Sequence, residues 1–139
     1  MQGISIRAVI LASLAVLGVD IISGELLARM FGAPGVFSGA PEDEIRRAYQ
    51  VLVQDVRYLS LGLILGTAST VLGGYLSARL AGTVPYFNAA AFGVLTLLVN
   101  SIGMGEVPLW LWIMGLLLTM PAALLGGHVA KQRMSRPVS

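Results

Sequence analysis

The 139-residue chain is 56% hydrophobic and 12% charged, where soluble domains carry about 25% charged residues. With a mean hydropathy of +0.82 that charge cannot cover a globular surface, so an ordinary water-soluble domain is excluded and one compact all-α membrane domain over residues 1–139 is indicated. The absence of cysteine excludes disulfides, thiolate nucleophiles and cysteine metal sites, and a net charge of +2 carried by few basic residues gives no nucleic-acid signal.

A hydrocarbon core about 30 Å thick needs roughly 20 mostly apolar residues of helix. Four windows meet that length, at about 6–28, 57–80, 84–104 and 108–130. The first has a secretory signal peptide as its alternative. Asp20 and Glu25 spoil the region that would precede cleavage, and Pro34 follows "FGA" at the cut, so a retained span is expected.

Asp20 is the main candidate for chemistry in span one. It lies thirteen residues beyond Arg7, about 20 Å along a helix at 1.5 Å per residue. A central aspartate costs about 2.5–3.5 kcal/mol on the insertion scale, and the Leu, Ile and Val residues between Val9 and Leu27 return about 3–6 kcal/mol. The span therefore inserts only marginally alone and calls for a partner to the carboxylate. By depth, Thr67 of span two and Asn100 of span three are the expected partners, and Ser13, Asp20 and Gly24 share the face that should look inward. Two roles stay open: a neutral or hydrogen-bonded group that fixes helix register, or an ionisable group on a proton or cation path. Glu25 has Arg29 four residues on, and an ion pair near the interface is enough to account for it.

One long connection follows. Gly32, Pro34, Gly35, Gly39 and Pro41 mark a turn-rich start. Pro41 and the acids Glu42, Asp43 and Glu44 then read as the first turn of an amphipathic segment over about 41–56. Glu42–Arg46 and Asp43–Arg47 are i,i+4 pairs, and Ile45, Ala48, Tyr49, Leu52 and Val56 form an apolar stripe. A helix lying on the outer surface, or a helical extension of span two, is expected, with a lid or docking surface as the sharper alternative.

Spans two and four form an internal repeat. "GLILGTASTVLGGYLSAR" from Gly62 aligns with "GLLLTMPAALLGGHVAKQ" from Gly115. Gly62, Gly66, Thr70, Gly73 and Ser77 share one helix face, as do the aligned Gly115, Thr119, Ala123, Gly126 and Ala130. Lipid supplies no hydrophobic drive between helices, so such faces permit the close backbone approach that packs them. Two helical hairpins, 1–2 and 3–4, packed as a parallel pseudo-repeat are the simplest arrangement. Pro121 should loosen or kink span four locally.

The stretch "LGGYLSARLAGTVPYFNAAAFGVLTLL", residues 72–98, resembles the motif of small four-span bacterial inner-membrane proteins of unknown function. Asp20 fits the acid usual in their first span, whereas residues 31–56 fall outside the pattern. The resemblance implies architecture and location, and no activity.

With four spans, Arg7, Arg79, Lys131, Arg133 and Arg136 collect on one side with no acid. Asp20, Glu25, Glu42, Asp43, Glu44, Asp55 and Glu106 lie on, or towards, the other. The positive-inside rule then gives N-in and C-in topology in the bacterial inner membrane, with Trp110, Trp112 and Tyr58 at the outer interface and Tyr75 and Tyr86 at the inner one. His128 is the one histidine and reads as a group at the membrane interface, without a second ligand for a metal. No nucleophile–base pair or phosphate-binding loop is evident, and no enzyme, metal or cofactor is expected. A non-enzymatic binding or scaffolding role within the lipid bilayer is the leading expectation, alone, as a homo-oligomer or with a membrane-protein partner. The alternative is a small proton-coupled transporter or channel-like homo-oligomer that uses Asp20.

Overall fold

The computed structural model describes residues 3–102 and 107–135. The last two positions expected in span three, together with Glu106 and Arg136, lie outside the described residues. The chain forms five helices: α1 (Ile6–Met30), α2 (Glu42–Leu52), α3 (Val56–Ala81), α4 (Pro85–Ile102) and α5 (Leu109–Met134). All but α2 are long and apolar enough to cross a membrane, which makes this a multi-pass helical membrane protein. The exposed surface agrees with that class: Leu14, Ile64 and Leu117 are each 60% or more exposed, as a lipid-facing shell requires.

Each helix boundary has a local cause. The Ser5 hydroxyl accepts from the Ala8 N–H and caps α1. Beyond Met30 the chain turns at Gly32 (φ 76°), and the connection folds back over the end of α1. Glu25 organises that return. Its carboxylate accepts from Arg29 Nε at 2.8 Å and from the Phe37 N–H at 3.3 Å, and its side chain is only 10% exposed. Gly35 lies so close to this carboxylate that a Cβ there would overlap it. Glu25 is thus more than half of a solvated ion pair, because it also anchors the loop.

In α2 the Glu42–Arg46 and Asp43–Arg47 pairs both form, and Leu52 is buried. Pro41 caps α2 and Glu42 is its first helical residue. The apolar stripe stops at Leu52, because the helix ends there and Val56 is 63% exposed. Asp55 is the reason for the break: it caps α3 by accepting from the Arg57 N–H at 2.8 Å. The Arg57 guanidinium and N–H, both bonded to it, hold this carboxyl below its usual range. At the other end, Gly82 (φ 66°) closes α3 in the left-handed conformation, donating to Ala78 O. Helix α5 continues unbroken through Pro121.

Helix α3 is central. It packs most extensively on α5 and also against α1 and α4, while α4 packs on α5. The contact is closest in the half of the bundle that holds the end of α3 and the start of α4. There Gly74 abuts Ala123 O, Gly126 abuts Val71 O and Tyr75 N, and Gly127 abuts Ala89 Cβ. Gly73 lies under the Phe92 ring, which is 1% exposed and joins Val9, Ala12, Val16 and Ala123 in the core. Without a hydrophobic drive between helices, this contact of small residues is what holds the spans.

A polar knot ties the same end. Fully buried Asn88 accepts from the Ser5 N–H at 2.8 Å and donates to Thr83 O and Val84 O, while Ser77 Oγ donates to Asn88 O at 2.7 Å. These bonds join the start of α1, the end of α3 and the start of α4. His128 also lies at this end, with Nδ1 2.6 Å from the Tyr86 hydroxyl and Nε2 2.9 Å from Gln132 Nε2. Arg7, Arg79, Lys131 and Arg133 therefore share this basic end, and no acid accompanies them among the described residues.

Candidate functional site

The small-residue faces of α3 and α5 behave differently along their length. From Thr70 and Thr119 towards the basic end they are buried and in contact. Towards the acidic end they separate. Gly66 and Gly115 have no side-chain or foreign backbone atom within 4 Å of where a Cβ would sit, and at Gly62 the nearest is Leu27 Cδ2 at 3.9 Å. So Gly73 and Gly126 occupy close helix contacts, as the spacing predicts, whereas Gly62, Gly66 and Gly115 do not. The physical reason is that a cavity lined by all four long helices lies at this level, so these glycines face open space and not a neighbouring backbone.

What remains is a half-enclosed cavity of about 530 Å³. All four long helices line it: α1 contributes Asp20 and Gly24, α3 contributes Gly62 and Gly66, α4 contributes Thr96 and Asn100, and α5 contributes Trp112 and Gly115. It reaches from Thr70 to Tyr58 along α3, twelve residues or about 18 Å. Tyr49 of α2 lines it too, so the short helix sits beside its outer part.

Asp20 is on the cavity wall, and its partner is neither of the expected ones. Ser69 Oγ lies 2.5 Å from Asp20 Oδ1. Thr67 Oγ1 donates instead to Leu63 O at 2.7 Å, within its own helix, and Asn100 is exposed with no hydrogen bond to Asp20 among the described residues. Depth chose the right turn of α3 but not the right face: Ser69 points at α1, whereas Thr67 points elsewhere into the cavity. Ser23, one turn on, donates to Asp20 O at 3.2 Å. Asp20, Thr67 and Asn100 thus come together as lining of one cavity, without bonding to one another. Ser13 does not join them, since its hydroxyl is spent on Val9 O.

Two features were not foreseen. Trp112, placed by the sequence at the outer interface, turns inward, and its indole Nε1 is buried with no hydrogen-bond partner among the described residues. Trp110 is 42% exposed, as an interfacial residue should be. Secondly, Asp20 is the only formally charged residue among the described residues that line the cavity. Tyr58 stacks edge-on against Phe31, ring centroids 5.5 Å apart, at the acidic end. No group of three or more metal-ligating side chains gathers among the described residues.

This arrangement can bind. A carboxylate with one oxygen occupied by Ser69, several hydroxyls and an apolar and aromatic wall are the elements of a small-molecule site. Comparison with family models, with curated proteins and with solved structures gave no match.

Proposed function

We propose that the protein is a non-enzymatic binding protein of the bacterial inner membrane and that the cavity around Asp20 is where it binds. One observation carries this: a cavity of about 530 Å³ bounded by all four long helices, with a carboxylate, several hydroxyls and aromatic side chains among the residues lining it. Ligand pockets of roughly 300–1,000 Å³ with a few converging polar groups are the common form of small-molecule sites. The basic end faces the cytoplasm on this account, so the cavity occupies the outer half of the bilayer. The two hairpins form a parallel pseudo-repeat whose tight half is cytoplasmic and whose open half is external. The lipid bilayer, a second copy of the chain or a membrane-protein partner supplies the rest of its surroundings.

A second reading, a proton-coupled transporter or channel-like homo-oligomer, draws support from the position of Asp20 on the cavity wall. It requires the close contacts of Gly74 with Ala123 and of Gly126 with Val71 to open, because they block the path to the basic end. Proton flux in liposomes that disappears in Asp20→Asn would favour it.

Native mass spectrometry of protein released from membranes tests the binding reading. Wild type should retain one small adduct per chain, and Gly66→Leu, which fills the cavity from a position with free space around it, should lose it while melting like wild type. Equal retention by both, or no adduct on either, overturns it. Orientation has its own test: a cysteine at Ser38 should react from outside intact cells, and a reporter fused after Ser139 should be cytoplasmic.

A further inference from the structure

Among the described residues the charge on the cavity wall is of one sign: neither Lys, Arg nor His lines it, and Asp20 is the single carboxylate. An anionic ligand would meet that carboxylate with no cation to offset it, and a neutral apolar one would leave it without a counter-charge. A cation resolves both.

The shape narrows the class. The cavity runs about 18 Å along α3, from Thr70 to Tyr58, with Asp20 towards its closed inner part and Tyr49, Tyr58 and Trp112 lining it too. An inorganic cation would fill a small part of that length. It would also want several converging oxygens at about 2.0–2.6 Å, and Asp20 brings one carboxylate already bonded to Ser69. An elongated molecule with a cationic head fits better, its apolar body along Leu59, Leu63 and Leu116. Aromatic faces are compatible with an ammonium passing or resting beside them.

Resting on the binding reading above, we infer that the cavity takes an elongated amphipathic monocation whose ammonium group pairs with Asp20. Two sources carry this chemistry: a diffusible alkylamine, or a lipid whose headgroup bears an ammonium.

The test uses the full-length protein in phosphatidylglycerol liposomes, which contain no ammonium lipid, with Trp110→Phe so that Trp112 alone reports. Hexyltrimethylammonium, hexanol and hexanoate are titrated against Trp112 emission in wild-type and Asp20→Asn backgrounds. The surface attraction of the liposome for the cation is the same in both backgrounds, so their ratio isolates Asp20. Hexyltrimethylammonium should bind about tenfold tighter than hexanol with Asp20 present, the combined effect of a partly desolvated carboxylate and aromatic walls, and the preference should vanish in Asp20→Asn. Hexanoate should bind weakest. Adding phosphatidylethanolamine to the liposomes then separates the sources: competition assigns the head to a lipid, and no competition assigns it to a soluble amine. If all three probes bind equally with Asp20 present, the cation inference is overturned while the cavity remains a binding site. If none alters Trp112 emission, the cavity reading falls as well. Should Asp20→Asn fail to fold, the same three probes titrated in uncharged maltoside micelles, which have no surface attraction for the cation, decide between the outcomes.

Discussion

The Ser69 hydroxyl meets Asp20 Oδ1 at 2.5 Å, and the same hydroxyl lies 3.0 Å from Gly66 O in its own helix. Ser69 therefore links α1 to α3 while keeping a second acceptor within reach. That second acceptor sets the expected cost of removing Asp20. In Asp20→Leu the Ser69 hydroxyl can turn wholly to Gly66 O, so no buried donor is stranded, and the loss should stay below about 1 kcal/mol, the net worth of one ordinary hydrogen bond. Asp20→Asn retains an acceptor oxygen and should melt like wild type. Thermal unfolding of both variants in lipid checks this. A loss of about 2 kcal/mol or more in Asp20→Leu would mean that the carboxylate is structural and that Ser69 has no adequate alternative.

The glycines divide into two groups by what surrounds them. Leucine at Gly126 or Gly74 must displace the backbone of the facing helix, since the obstructing atoms are Val71 O and Ala123 O. Overpacking of this kind costs about 1–3 kcal/mol, and more where backbone is the obstacle. Gly66→Leu meets free space and should leave stability within about 0.5 kcal/mol, as substitutions away from packed or bonded features do. Equal melting temperatures for Gly126→Leu and Gly66→Leu would remove the division between a tight half and an open half.

Asn88 should be the costliest polar side chain to lose. Replacing it with leucine leaves the Ser5 N–H and the carbonyls of Thr83 and Val84 without their side-chain partner. Each stranded buried group carries a penalty of about 1–3 kcal/mol, and Val84 also accepts from backbone donors, which softens its share. A loss of about 2–4 kcal/mol is expected from these terms. Ser77→Ala removes one bond to Asn88 O and should cost about 1 kcal/mol. Denaturant or thermal unfolding in lipid measures both. Asn88→Leu melting like wild type would contradict the knot.

The junction between α2 and α3 should loosen in acid. Asp55 caps α3, and its bonds to Arg57 hold its folded-state carboxyl below the ordinary value of 3.8. A depressed folded value means that the contribution is complete above that range and is lost as pH falls through the lower folded value. Amide exchange at Arg57 should therefore accelerate, after correction for intrinsic rates, only below about pH 4, and Asp55→Asn should remove that pH dependence. An unchanged protection factor down to pH 2 would show that the cap does not depend on charge.

Much of this architecture is legible in the chain because it follows from periodicity and charge. The four long helices begin and end within a few residues of the apolar windows, and the i,i+4 pairs of α2 form where the spacing puts them. What sequence could not supply was which stretch of a helix face finds a partner. Gly66 and Gly126 have the same spacing signal, yet one meets open space and the other a backbone, because how closely a neighbouring helix approaches at a given turn is a tertiary property. Ser69 was missed for a related reason: depth along α3 does not give the side-chain direction, and Thr67 and Ser69 differ by about 200° around the helix. Asn88, in the first turn of α4, was not singled out, because a lone polar residue at a span end does not show which backbone groups it will meet. Trp112 gave no signal, since an aromatic at a span end is ordinarily an interfacial residue.

The accessibility of two engineered cysteines tests the central claim most directly, because the native chain has none to interfere. Gly66→Cys places a thiol on the cavity wall, and Ser77→Cys places one at a position with 0% exposure in the packed half. A small membrane-impermeant thiol reagent, methanethiosulfonate-ethyltrimethylammonium, is applied to intact cells and, separately, to inside-out vesicles. Gly66→Cys should react in intact cells, be slowed by hexyltrimethylammonium and not react from the vesicle side, while Ser77→Cys should be inert from both. Reaction of Gly66→Cys from the cytoplasmic side, or its complete inertness in intact cells, would contradict an outward cavity built around Asp20.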